Sequence, residues 1–87
     1  MKSRIVWPDP VRDAFLELLP LDQAAIQAKL DRVERFAYMY QAQQTGRFRR
    51  HRKFVGGNWG VYYRVIDREV FVRAIWAARM PLEVLDY

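Results

Sequence analysis

The chain has no cysteine, one histidine, His51, and one serine, Ser3. Without cysteine there is neither a disulfide framework nor a thiolate metal site, and one imidazole does not by itself build a metal centre, so no metal or other cofactor is expected. Serine occurs once, at Ser3, so a serine triad is not expected. Carboxylates paired at a spacing suited to acid–base work are not evident. The stretch GGNWG, residues 56–60, lacks the lysine and the following helix of a phosphate-cradling loop. No hydrophobic run is long enough to span a bilayer, and the opening MKSRIVWPDP holds none that suits a signal peptide, so a cytoplasmic location is expected.

What is present suits one small packed domain. The chain has 87 residues, 52% of them hydrophobic and 15% aromatic, which argues for a core and against disorder. The net charge of +5 is unevenly placed. Residues 1–43 are neutral, with six basic and six acidic side chains, whereas residues 44–87 hold nine basic and four acidic ones. Such asymmetry points to a face made for an anionic partner, against the plainer reading of a solvated basic surface.

Residues 3–7 read as a short strand, stopped by Pro8 and Pro10. Asp9 is placed to cap a helix with Pro10 at its first position, and Val11, Phe15, Leu18 and Leu19 recur at helical spacing until Pro20 ends the helix. A second helix begins near Leu21 or Asp22, with Ile26, Leu30, Val33, Ala37 and Tyr40 as its apolar stripe. From Arg47 the period changes to two. Trp59, Val61, Tyr63 and Val65 share one side of a strand, Asp67 to Glu69 form a short loop, and Val70, Val72, Ala74 and Trp76 share one side of the next strand. The expected fold is therefore α+β: an N-terminal strand, a helical hairpin, then a three-strand antiparallel meander, with the helices packed on one face of an antiparallel sheet.

The chemistry concentrates in residues 47–53, RFRRHRK, where every side chain but Phe48 can carry positive charge. Read as a strand, this run turns Arg47, Arg49, His51 and Lys53 one way and Phe48, Arg50, Arg52 and Phe54 the other. Like charges on one face repel unless a counter-charge arrives, and a phosphate backbone would supply it. Arg64 and Arg73 on the following strands either join that face or are ordinary solvent-exposed or ion-paired side chains. His51, among cations that disfavour its charged form, is either a neutral general base or a strand histidine without a role. Trp7, Trp59, Trp76, Tyr62, Tyr63 and Phe71 are either core or platforms for bases, with Trp76 and Phe71 assigned to the core or its margin. Tyr87 either reaches a site at the end of the last strand or is a terminus without a partner.

The stretch VGGNWGVYYRVIDREVFVRAIWAARMPLEVLDY, with its Tyr63-Arg64-Val65-Ile66-Asp67 hairpin, resembles the RelE/ParE superfamily of toxins from bacterial toxin–antitoxin systems. Arg79 stands where that family has the basic end of its last strand, and Tyr87 where it has a late aromatic. The segment WPDPVRDAFLELLPLDQAAIQAKLDRVERF looks like the family's helical hairpin, so the likeness covers nearly the whole chain. It implies a toxin paired with a cognate antitoxin protein. In the RNA-cleaving branch it implies metal-independent cleavage of messenger RNA on the ribosome. His51 and Lys53 then fall where that branch carries paired strand lysines, Arg79 stabilises the phosphate, Tyr87 carries a proton, and Arg47, Arg49, Arg50, Arg52, Arg64 and Arg73 bind RNA. The alternatives are a gyrase-inhibiting toxin without catalysis and an inactive RNA-binding relative. One position departs from the family: its aromatic–arginine pair is Trp59-Gly60 here. Either cleavage is lost or the anchoring charge comes from another residue, such as Arg64.

Overall fold

The structure is a computed structural model that describes residues 3–78. Its elements are β1 (Arg4–Val6), α1 (Asp9–Leu16), α2 (Pro20–Arg35), β2 (Arg52–Gly56), β3 (Trp59–Ile66) and β4 (Glu69–Ala77). They form one four-stranded sheet in the order β1-β4-β3-β2. The α+β class and the helical hairpin are as expected, but the sheet is mixed. β2, β3 and β4 pair antiparallel, while β1 runs parallel to β4 with Ile5 opposite Val70. The wholly antiparallel sheet is thus corrected: β1 and β4 are far apart in sequence, and the intervening helices and strands supply the long connection that parallel neighbours need.

Prolines start both helices. Pro8 is the N-cap of α1, so Asp9 lies inside the first turn and makes no side-chain cap, contrary to expectation. It still places negative charge at the positive end of the helix. Leu19 is extended, with ψ of 147°, as a residue preceding proline must be, and Pro20 begins α2 rather than ending α1. Leu19 therefore leaves the predicted apolar stripe and is 71% exposed, while Val11, Phe15 and Leu18 pack against the core. The amide of Gln23 bridges the two helices by donating to the carbonyl oxygens of Leu16 and Leu18, at 3.2 and 2.8 Å.

On α2, Ile26, Leu30 and Val33 are fully buried against Phe54, Val61, Tyr63, Val70 and Val72. The helix stops at Arg35, short of the stripe read from the sequence, yet Ala37 is buried and Tyr40 packs on the same core. The coil is held by the Tyr63 hydroxyl, which donates to the Ala37 carbonyl at 3.0 Å. The β2–β3 connection is the pair Gly57-Asn58, with Gly57 at φ 59°, and β3–β4 is the pair Asp67-Arg68, at 49° and 66°. Glu69 pairs with Ile66 and so belongs to β4, not to the loop.

Two departures shape the site. First, only Arg52 and Lys53 of the basic run lie in β2; residues 47–50 form a turn. The turn closes on itself: Arg49 N–H donates to Gly46 O, His51 N–H to Phe48 O and Arg50 N–H to Gln43 O, at 2.9–3.1 Å. The alternation predicted for a strand over residues 47–53 does not apply there. Second, Tyr62 pairs with Ala74 but Tyr63 with Val72, so Arg73 is an extra residue in β4. This bulge reverses the phase of the strand. Val70 and Val72 face the helices, but Ala74 and Trp76, expected beside them, join a cluster with Phe48 and Tyr62 instead.

Candidate nucleic-acid interface

Both helices contribute to the main core, and Phe48, Tyr62, Ala74 and Trp76 form a separate cluster on the other side of the sheet. Phe48 reaches from the turn to stack on Tyr62, with ring centroids 4.1 Å apart and planes 12° from parallel. Cations surround this stack. The Arg47 guanidinium lies 5.8 Å from the centre of the Phe48 ring and the Lys53 ammonium 5.6 Å from that of Tyr62. Arg73, next after core-facing Val72, points to this side, and the bulge brings Ala74 to the same side. Arg47, Phe48, His51, Arg73, Ala74 and Trp76 line a cavity of about 310 Å³.

His51 forms one wall of the cavity. It is 8% exposed, precedes β2, and meets Phe48 edge-on at 5.7 Å. It is therefore neither exposed nor in the strand, as the plainer sequence reading had it. Nδ1 lies 3.1 Å from the Arg49 carbonyl oxygen. A carbonyl only accepts, so Nδ1 carries the proton and Nε2 keeps its lone pair in the neutral ring. Burial pushes the imidazole below its usual pKa; the Arg49 carbonyl bond opposes this, and the charges of Arg73 and Arg64 add to it. Nε2 and the indole N–H of Trp76 are both buried without a hydrogen-bond partner among the described residues. An acceptor and a donor are thus left unsatisfied on two side chains lining one cavity.

The other cations divide into two groups. Arg64 and Arg73 both act electrostatically on His51, and among the described residues neither is in an ion pair. Arg52 serves the fold, since its guanidinium donates to the carbonyl oxygens of Tyr40 and Tyr38 and lies 4.9 Å from the centre of the Tyr38 ring. Arg49 and Arg50 are exposed and, with Arg52, line a different cavity. Arg79 and Tyr87 lie outside the described residues.

Gly60 has a definite neighbour. A Cβ at this position would lie 3.2 Å from Cε of Lys53, so the lysine stem lies against the Gly60 backbone. Among the aromatics, Trp7 packs on Phe15, Trp59 donates from Nε1 to Asp22 at 3.1 Å, and Tyr63 is committed to Ala37, its phenol pushed up to about 12 chiefly by burial. Tyr62 and Trp76 remain on the far face. The sequence reading missed Phe48 as the centre of that face; its signal was being the one apolar residue in a basic run. Among the described residues no group of three or more His, Asp or Glu side chains could hold a metal ion, and no helix is long and apolar enough to cross a membrane. Neither a protein-family model nor a curated protein matches the chain.

Proposed function

We propose that the chain is the toxin of a type II toxin–antitoxin pair of the RelE/ParE kind, cleaving messenger RNA on the ribosome without a metal. The observation that carries this reading is the convergence of His51, Lys53, Arg64 and Arg73 around an aromatic cluster on the sheet face away from the main core. Cations there neutralise backbone phosphates, and aromatic rings offer stacking surfaces to unpaired bases.

The chemistry suited to this set is attack of a ribose 2′-hydroxyl on its own 3′-phosphate. The hydroxyl proton passes to Nε2 of neutral His51, the new P–O bond forms, and the bond to the 5′-oxygen of the next nucleotide breaks. That oxygen takes up a proton. The products are a 2′,3′-cyclic phosphate and a 5′-hydroxyl end. Lys53, Arg64 and Arg73 stabilise the charge that builds on the phosphate oxygens. Nε2 is covered in the free protein, so bound RNA must part the cavity wall to reach it. By the resemblance, Arg79 adds to the phosphate contacts and Tyr87 carries the proton to the leaving oxygen. The partner is an antitoxin whose acidic segment covers the basic face, in keeping with the net charge of +5.

The test is induced expression in a bacterial host with messenger RNA ends and gyrase-linked DNA breaks mapped in the same cells. New RNA ends support the reading. DNA breaks without RNA ends replace it with gyrase inhibition.

A further inference from the structure

Arg50 is held at φ 70°, in the left-handed region that favours glycine, although its neighbours in the turn include no glycine nearer than Gly46. Its backbone is fixed there because its N–H donates to Gln43 O at 2.9 Å while Gln43 N–H donates to His51 O at 2.7 Å. Glycine would fill this position with less strain, and the arginine places a guanidinium-bearing side chain on the turn. It lines an open cavity of about 490 Å³ with Arg49, Arg52, Gln43, Gln44 and Ala42. Among the described residues, no ion pair engages Arg49 or Arg50. Arg52 is fixed at one wall by the carbonyl oxygens of Tyr40 and Tyr38. Three arginines thus share a cavity with two glutamines.

The turn also links this cavity to the first one. Arg47 lines the cavity beside His51, whereas Arg49 and Arg50 line the second, and the Arg49 carbonyl holds Nδ1 of His51. We propose that this second cavity binds a backbone phosphate flanking the one that is cleaved, so that single-stranded RNA crosses the turn from one cavity to the other. This rests on the RNA-cleaving reading above. Arg50 supplies the adjustable contact, and the strained turn fixes where that contact is offered.

The test uses the full chain and a labelled single-stranded RNA of about ten nucleotides, titrated over a range of salt concentrations, with thermal melts alongside. Arg50→Gly is expected to melt at or above the wild-type temperature, to bind about tenfold more weakly, and to flatten the salt slope by about 0.7. Arg50→Lys is expected to keep the slope. Wild-type binding with an unchanged slope in Arg50→Gly would overturn the second site and leave the RNA reading standing. No RNA binding by the wild type would overturn the second site, while the cleavage reading stands or falls on the RNA ends mapped in cells. Inorganic phosphate is the second probe: if it saturates the Arg49 and Arg50 amide shifts while Arg50→Gly leaves RNA affinity intact, the cavity belongs to a free anion and the proposal fails.

Discussion

Lys53 lies beside the backbone of Gly60: its Cε is 3.2 Å from where a Cβ would stand, and its ammonium is 5.6 Å from the centre of the Tyr62 ring. Lys53 and Tyr62 are paired across β2 and β3. Any side chain at position 60 would meet the lysine stem, so the space beside Gly60 is what admits Lys53. Lys53→Met is expected to leave the fold intact and lower the salt slope of RNA binding by about 0.7. Gly60→Ala is expected to change stability by no more than about 1 kcal/mol, because the lysine end can shift. Equilibrium denaturation and RNA titration at several salt concentrations check both.

The imidazole of His51 is held below its usual pKa, first by burial and then by the nearby arginines. Between the unfolded value near 6.5 and the lower folded value, the unfolded chain binds more protons than the folded one. Stability is therefore expected to be greatest above pH 6.5 and to fall as pH drops through that window, flattening below the folded value. Urea melts from pH 8 to pH 5 measure this slope. His51→Gln is expected to remove the part of it above the carboxylate range.

Arg73 follows Val72, which faces the helices, so alternation puts it on the His51 side, and the β4 bulge brings Ala74 to that side next to it. Its charge is one of those that lower the imidazole pKa. Arg73→Ala is expected to raise the His51 pKa, and NMR titration reads this without ambiguity because the chain has one histidine. The same variant is expected to weaken RNA binding. An unchanged imidazole titration would contradict the placement of Arg73.

Arg52 and Tyr63 anchor the coil after α2, through the carbonyl oxygens of Tyr40, Tyr38 and Ala37. Tyr63→Phe removes the hydroxyl partner of a buried carbonyl and is expected to destabilise the fold by about 1–2 kcal/mol, leaving the RNA salt slope unchanged. Arg52→Met is expected to lower stability as well, unlike Arg50→Gly. Urea denaturation compares the three.

The helical hairpin and the β2–β3–β4 meander were legible because proline placement and apolar spacing are local signals. Ile26, Leu30 and Val33 face the core as their spacing requires. The parallel pairing of β1 was not legible, because three residues carry no record of which distant edge they join. Nor was the turn at residues 47–50, since it is closed by backbone hydrogen bonds to Gln43 and Gly46 that side-chain pattern does not encode. The bulge at Arg73 has the same character: a single extra residue moved Ala74 and Trp76 to the other face while the sequence continued to alternate. For the candidate site, charge and spacing singled out His51, Lys53, Arg64 and Arg73 in the sequence. The stacking of Phe48 on Tyr62 depended on the turn, and the place of Ala74 and Trp76 beside them on the bulge.

The most direct measurement is induced expression of the wild type and of a Lys53→Met, Arg73→Ala double variant, with messenger RNA 5′ ends mapped by their chemistry. The account predicts new 5′-hydroxyl ends for the wild type and their loss in the double variant at equal protein level. Growth arrest without new RNA ends, or ends that persist in the double variant, would contradict it.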